Sequence, residues 1–117
     1  MQLKISTRMV DGVLIVDCAG RLVFGEESAC LRDTVKKLIL ERKRLVLNLS
    51  GLTHIDSGGL GTLVALYTTA HHNNGHIKLA NLTKRVGDLL NLTKLVTVFE
   101  VYDDEQQAVN SYKGAVA

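Results

Sequence analysis

Four apolar residues crowd into one six-residue run: Leu45, Val46, Leu47 and Leu49 of "LVLNLS" (45–50). Side chains of a strand alternate between its two faces. Adjacent apolar residues at 45, 46 and 47 therefore need cover on both sides, as in a strand set inside a sheet flanked by helices. The run leads into "GLTHIDSGGLG" (51–61) and then into Leu60, Leu63, Val64, Tyr67 and Ala70 at helical spacing. A helix is predicted over about 58–73, with Gly75 at its stop.

The same alternation governs the rest of the chain. "LKIST" (3–7) and "GVLIVDCAG" (12–20) flank Asp11-Gly12 and predict a hairpin. "RLVF" (21–24) reads as a further short strand ended by Gly25. Leu31, Val35, Leu38 and Ile39 form an apolar stripe in a helix over 26–43. Glu26 and Glu27 open that helix, and Arg42, Lys43 and Arg44 close it, in keeping with its dipole. "HIKLANL" predicts a strand, Thr83 a cap for a short helix through Leu90, "VTVFEVY" (96–102) the last strand and "DDEQQAVNSY" the last helix. The order β-β-β-α-β-α-β-α-β-α is that of an α/β fold with parallel pairings and right-handed crossovers.

Bulk properties exclude several functions. A chain of 117 residues is the size of one domain, and its 46% hydrophobic content supplies one core. Fourteen basic against 12 acidic residues leave a net charge of +2, too balanced for nucleic-acid binding through charge. Trp is absent, which argues against base-stacking platforms. Cys18 and Cys30 read as reduced core thiols. No signal-peptide or membrane-span pattern occurs, so a soluble, cytoplasmic protein is expected. His71, His72 and His76 read as surface residues at a helix end, with no cysteine or carboxylate nearby in sequence to complete a metal site.

The junction Asp56-Ser57-Gly58-Gly59-Leu60-Gly61 carries the functional signal. Ser57 stands where a strand ends and a helix begins, the place for an N-cap. Three glycines in or near a first helical turn each cost up to about 1 kcal/mol relative to Ala, so something there needs bare backbone. A phosphate loop lacks the Gly-Lys-Ser/Thr that would follow. A nucleophilic serine lacks the glycine two residues earlier, where Ile55 stands. A metal site of histidines is disfavoured by their spacing. A phosphorylation switch fits: a dianion on Ser57 suits a helix N-terminus but repels a partner docked there beside Asp56. Gly59, Thr62, Leu66 and Thr69 are expected to form an outward stripe on that helix for the partner.

These residues, with "GHIKLANLTKRV" and "VFEVYDDEQQA" further on, resemble the STAS domain of bacterial anti-sigma factor antagonists over nearly the whole chain. The resemblance implies one STAS domain over residues 1–117, a mixed sheet of four to five strands with about four helices mainly on one face. It implies a non-enzymatic module without cofactor. Unphosphorylated, the module binds an anti-sigma factor serine kinase and frees the sigma factor; phosphorylation of Ser57 breaks that complex, and a metal-dependent serine phosphatase restores it. The expected partner-binding residues are Asp56, Ser57, Gly58, Gly59, Leu60, Thr62 and Leu66. Neither direct nucleic-acid binding nor a membrane span is expected; a weak homodimer is among the expected associations. The alternative is a STAS subunit of a lipid transporter ATPase or stress-signalling assembly that docks without phosphate control. Arg21 and Val23 depart from the acidic pattern of many antagonists, and Asn48 stands where many carry Asp.

Overall fold

The computed structural model describes residues 3–114. Five strands form one sheet in the order β1-β2-β3-β4-β5. β1 (Leu3–Val10) and β2 (Val13–Leu22) are antiparallel, joined by Asp11 and Gly12 at φ 50° and 80°. Two consecutive left-handed residues are what a two-residue hairpin matched to strand twist requires. β3 (Arg44–Ile55) pairs parallel with β2, β4 (His76–Ala80) with β3, and β5 (Val101–Tyr102) with β4.

Both faces of the sheet are covered. α1 (Glu26–Glu41), α2 (Ser57–His72) and α3 (Lys84–Leu92) pack on one face over Leu14, Val16, Cys18, Leu45, Leu47 and Leu49. α4 (Glu105–Gly114) lies on the other, where Ala108, Val109 and Tyr112 meet Val13, Ile15, Val46 and Ala80. Successive residues of β2 and β3 thus enter different cores, which is why those strands read as unbroken apolar runs. The Tyr112 hydroxyl donates to the Leu45 carbonyl at 2.7 Å, tying α4 to the central strand. The Lys78 amine is buried under the same helix, donates to Ser111 Oγ at 2.7 Å and lies 4.2 Å from the Tyr112 ring centroid. At the sheet edge, Arg8 is hydrogen-bonded to Asp17 and Glu105.

Several local expectations are corrected. The stretch 21–24 is not a separate strand; β2 runs unbroken to Leu22 through register shifts near Cys18 and Gly20. "VTVFEVY" is mostly not strand: Leu95–Thr97 form a 3₁₀ turn, and only Val101–Tyr102 pair. Phe99 leaves the sheet to bury against the three-helix core, with its ring 5.6 Å from that of Tyr67. The left-handed residue after α2 is Asn74, at φ 60°, rather than Gly75. Gly75 still helps close the helix, its N–H donating to the Ala70 carbonyl at 2.8 Å. Cys18 is buried, whereas Cys30 is only partly so.

The largest correction concerns α2. Gly59, Thr62 and Leu66 do not face solvent; all three are buried, and Leu66 is 0% exposed. The apolar content of α2 is high enough that it is covered on two sides, by the sheet and by α1. Leu66→Ala is therefore expected to cost about 3 kcal/mol, the usual penalty for an interior leucine, measured by urea unfolding; a loss below about 1 kcal/mol would mean that the helix is turned differently.

Candidate functional site

β3 delivers the chain to the C-terminal edge of the parallel strands, and α2 starts there. Asp56, extended at φ −118°, is the N-cap residue, and its Oδ1 accepts from the Gly59 N–H at 2.8 Å. Its carboxylate also receives the Phe24 N–H, which lies 3.1 Å from each oxygen. One side chain thus holds both the first turn of α2 and the chain leaving β2. These backbone donors, Gly59 first and Phe24 second, hold the Asp56 carboxyl below its usual pKa.

The sequence reading placed the cap on Ser57; the structure places it on Asp56. The carboxylate reaches donors on two elements at once, and Ser57 becomes the first residue of the helix. Ser57 is exposed, and no side-chain hydrogen bond ties its hydroxyl to another described residue. The hydroxyl stands at the positive end of α2.

The neighbouring glycines have an internal cause. A Cβ on Gly59 would overlap the Leu22 carbonyl oxygen, and one on Gly58 would come within 2.6 Å of Phe24 Cβ. The turn is bare because α2 is pressed against the end of β2. Leu60 and Thr62 are buried beneath it, the Thr62 hydroxyl donating to the Gly58 carbonyl at 3.1 Å. Of the residues named from sequence, Asp56 and Ser57 are exposed, Gly58 is half-buried, and Gly59, Leu60, Thr62 and Leu66 support the turn from below.

Two surface features around the turn were not foreseen. Phe24 is 82% exposed beside Gly58. On the other flank, an open groove of about 580 Å³ is lined by Ile55, Lys84, Arg85, Asp88, Leu89 and Leu92. A short "RLVF" run reads as strand, so nothing in the sequence turned its last ring outward. The exposed position of Leu92 at the end of α3 was likewise hidden by its apolar character. Among the described residues no cluster of three His, Cys, Asp or Glu side chains is placed to hold a metal, and His71, His72 and His76 are exposed. No described helix is long and apolar enough to cross a membrane.

Removal of the cap should be visible. Asp56→Ala is expected to lose about 1 kcal/mol of stability. The ionised carboxylate is the form held, so its contribution is complete above about pH 4 and fades as the pH falls through the depressed native value. Denaturation of both proteins at pH 7 and pH 2.5 checks this: the gap between them should narrow in acid.

Comparison with known proteins gives this geometry a setting. The STAS domain profile matches residues 4–108. An anti-sigma F factor antagonist of Paenibacillus polymyxa is 30% identical over 111 residues, covering 93% of this chain and 94% of the relative. A Thermotoga maritima protein assigned to the anti-sigma factor antagonists has a similar structure, with a TM-score of 0.80 at 24% identity over 92% of each chain. The Bacillus cell fate determinant SpoIIAA, solved in its phosphorylated form, has the same fold, with a TM-score of 0.69 at 16% identity over 93% of this chain and 99% of that one. The match across nearly the whole chain, on a five-stranded mixed sheet flanked by four helices, places this chain in the STAS domain family.

Proposed function

We propose that this chain is a cytoplasmic anti-sigma factor antagonist that works by partner switching, with Ser57 as the phosphoacceptor. Unmodified, it binds an anti-sigma factor that is a serine kinase. Phosphorylated, it lets go, and a metal-dependent serine phosphatase resets it. The observation that carries this reading is the division of labour at the start of α2. Asp56 does the capping, so the Ser57 hydroxyl is free to be modified without removing a hydrogen bond that the helix needs. The relatedness to an anti-sigma F factor antagonist along 93% of the chain supports the partner class.

The energetics suit an on/off device. A phosphate adds about 1.5 to 2 negative charges at neutral pH. Within the domain it meets the positive end of α2, which tolerates it. Across an interface it is set beside Asp56 against whatever the partner presents, and like-charge contact costs several kcal/mol. About 4 kcal/mol is a thousandfold in affinity.

Incubation with ATP and the purified anti-sigma serine kinase encoded by the same genome, followed by mass spectrometry, should place one phosphate on Ser57. Ser57→Ala should bind that kinase constitutively. Ser57→Asp should bind at least a hundredfold more weakly while keeping the wild-type circular dichroism spectrum. Phosphate on another residue with Ser57 unmodified, or equal affinity of the phosphorylated and unmodified forms, would refute the proposal.

A further inference from the structure

Gly61 is the glycine of the Ser57 turn that the fold itself does not use. Gly58 and Gly59 are pressed against Phe24 and Leu22, but a Cβ on Gly61 would meet no atom within 4 Å. Gly61 is not among the left-handed residues either. A helical glycine with open space around it weakens the helix relative to alanine and gains no packing in return. Packing within the domain therefore does not require a glycine here, and the surface of α2 is left open at this point.

What it opens onto is specific. A cleft of about 330 Å³ lies between the N-terminal halves of α1 and α2, with Phe24, Arg32, Gly58, Gly61, Thr62 and Ala65 among its lining. Phe24 forms one wall with its ring in solvent. Its backbone is already fixed by the Asp56 carboxylate, so covering the ring orders little that was free. Aromatic side chains held in this way beside a depression are the usual anchors of protein interfaces. Ser28 and Thr62 in the cleft floor spend their hydroxyls on the Val23 and Gly58 carbonyls, which leaves the floor without a polar group seeking a ligand. The exposed Arg32 stands at the rim.

We infer that this cleft is the seat for an apolar side chain of the anti-sigma factor partner, packed on Phe24, admitted by the bare Gly61 and flanked by a carboxylate facing Arg32. The inference rests on the partner-switching reading and adds the docking chemistry to it. The occupant follows from continuity. Gly58 lines the cleft and directly follows Ser57, so a protein seated closely enough over Ser57 to be expelled by its phosphate also covers Phe24. Gly61 then trades intrinsic stability for access.

The test measures affinity for the purified anti-sigma serine kinase of the same genome, together with melting temperature, on the full chain. Gly61→Leu and Phe24→Ala should each weaken binding at least tenfold, and Phe24→Ala should leave the melting temperature unchanged. Gly61→Ala should melt about 2–5 °C higher than wild type yet bind more weakly. Arg32→Glu, on an exposed position, should weaken binding most at low salt. Binding by Phe24→Ala, Gly61→Leu and Arg32→Glu within twofold of wild type, while phosphorylation of Ser57 still releases the kinase, would overturn the cleft and leave partner switching standing. A backbone amide footprint on Lys84, Leu89 and Leu92 that spares Gly61 and Ala65 would overturn it in favour of the α3 groove. Equal binding of phosphorylated and unmodified wild type would instead remove the partner-switching reading, and this inference with it.

Discussion

The start of α2 is pressed so close to the end of β2 that no side chain fits at residue 59, where a Cβ would overlap the Leu22 carbonyl oxygen. Much else depends on that contact. It demands Gly58-Gly59 despite their helix-weakening character. It brings the Phe24 N–H within reach of Asp56, so one carboxylate can serve two elements. It also lifts Ser57 onto the edge of the sheet with its hydroxyl free. The exposed serine is the by-product of a tight intramolecular fit: because the cap and the packing are provided by other residues, its hydroxyl has no structural duty.

Much of this was legible in the sequence, for identifiable reasons. The hairpin at Asp11-Gly12 announces itself because few residue pairs adopt two successive left-handed conformations. β3 is legible because adjacent apolar residues can be buried only in a sheet covered on both sides. Thr83 is found as predicted, its hydroxyl accepting from the Val86 N–H at 3.3 Å. What failed depended on tertiary neighbours. Leu66 looked peripheral because one apolar face seemed enough for α2, yet α1 covers a second flank. Ser57 looked like the cap because serine and aspartate are both good caps, and only the position of Phe24 decides between them. The β-branched run at 96–102 looked like strand, but Lys94 turns left-handed at φ 63° and Phe99 is drawn into the helix-covered core. The glycines were taken as a sign that something needs bare backbone; at Gly58 and Gly59 that something is the chain itself, Phe24 and the end of β2.

The two faces of the sheet are stabilised differently. The three-helix side is held by a broad apolar core. The α4 side has a small one, reinforced by the Tyr112 hydroxyl on Leu45 and by Arg8 and Lys78, whose charged groups reach Glu105 and Ser111. Polar clasps of this kind fix the orientation of a short helix as well as its attachment, because they tolerate little sliding. They also lie on the opposite face from α1 and α2, so the surface around Ser57 can diverge to suit a partner without disturbing how α4 is fastened.

The double grip of Asp56 has a consequence for any enzyme that modifies its neighbour. Drawing Ser57 out straight would break structure on both sides: the residue before it is anchored to two secondary-structure elements, and the residues after it are wound into a helix. An enzyme acting on Ser57 under the proposed function would have to accept the serine on an intact domain, reading a surface instead of a linear motif, and a loose peptide copied from this stretch would be a poor substitute for the whole.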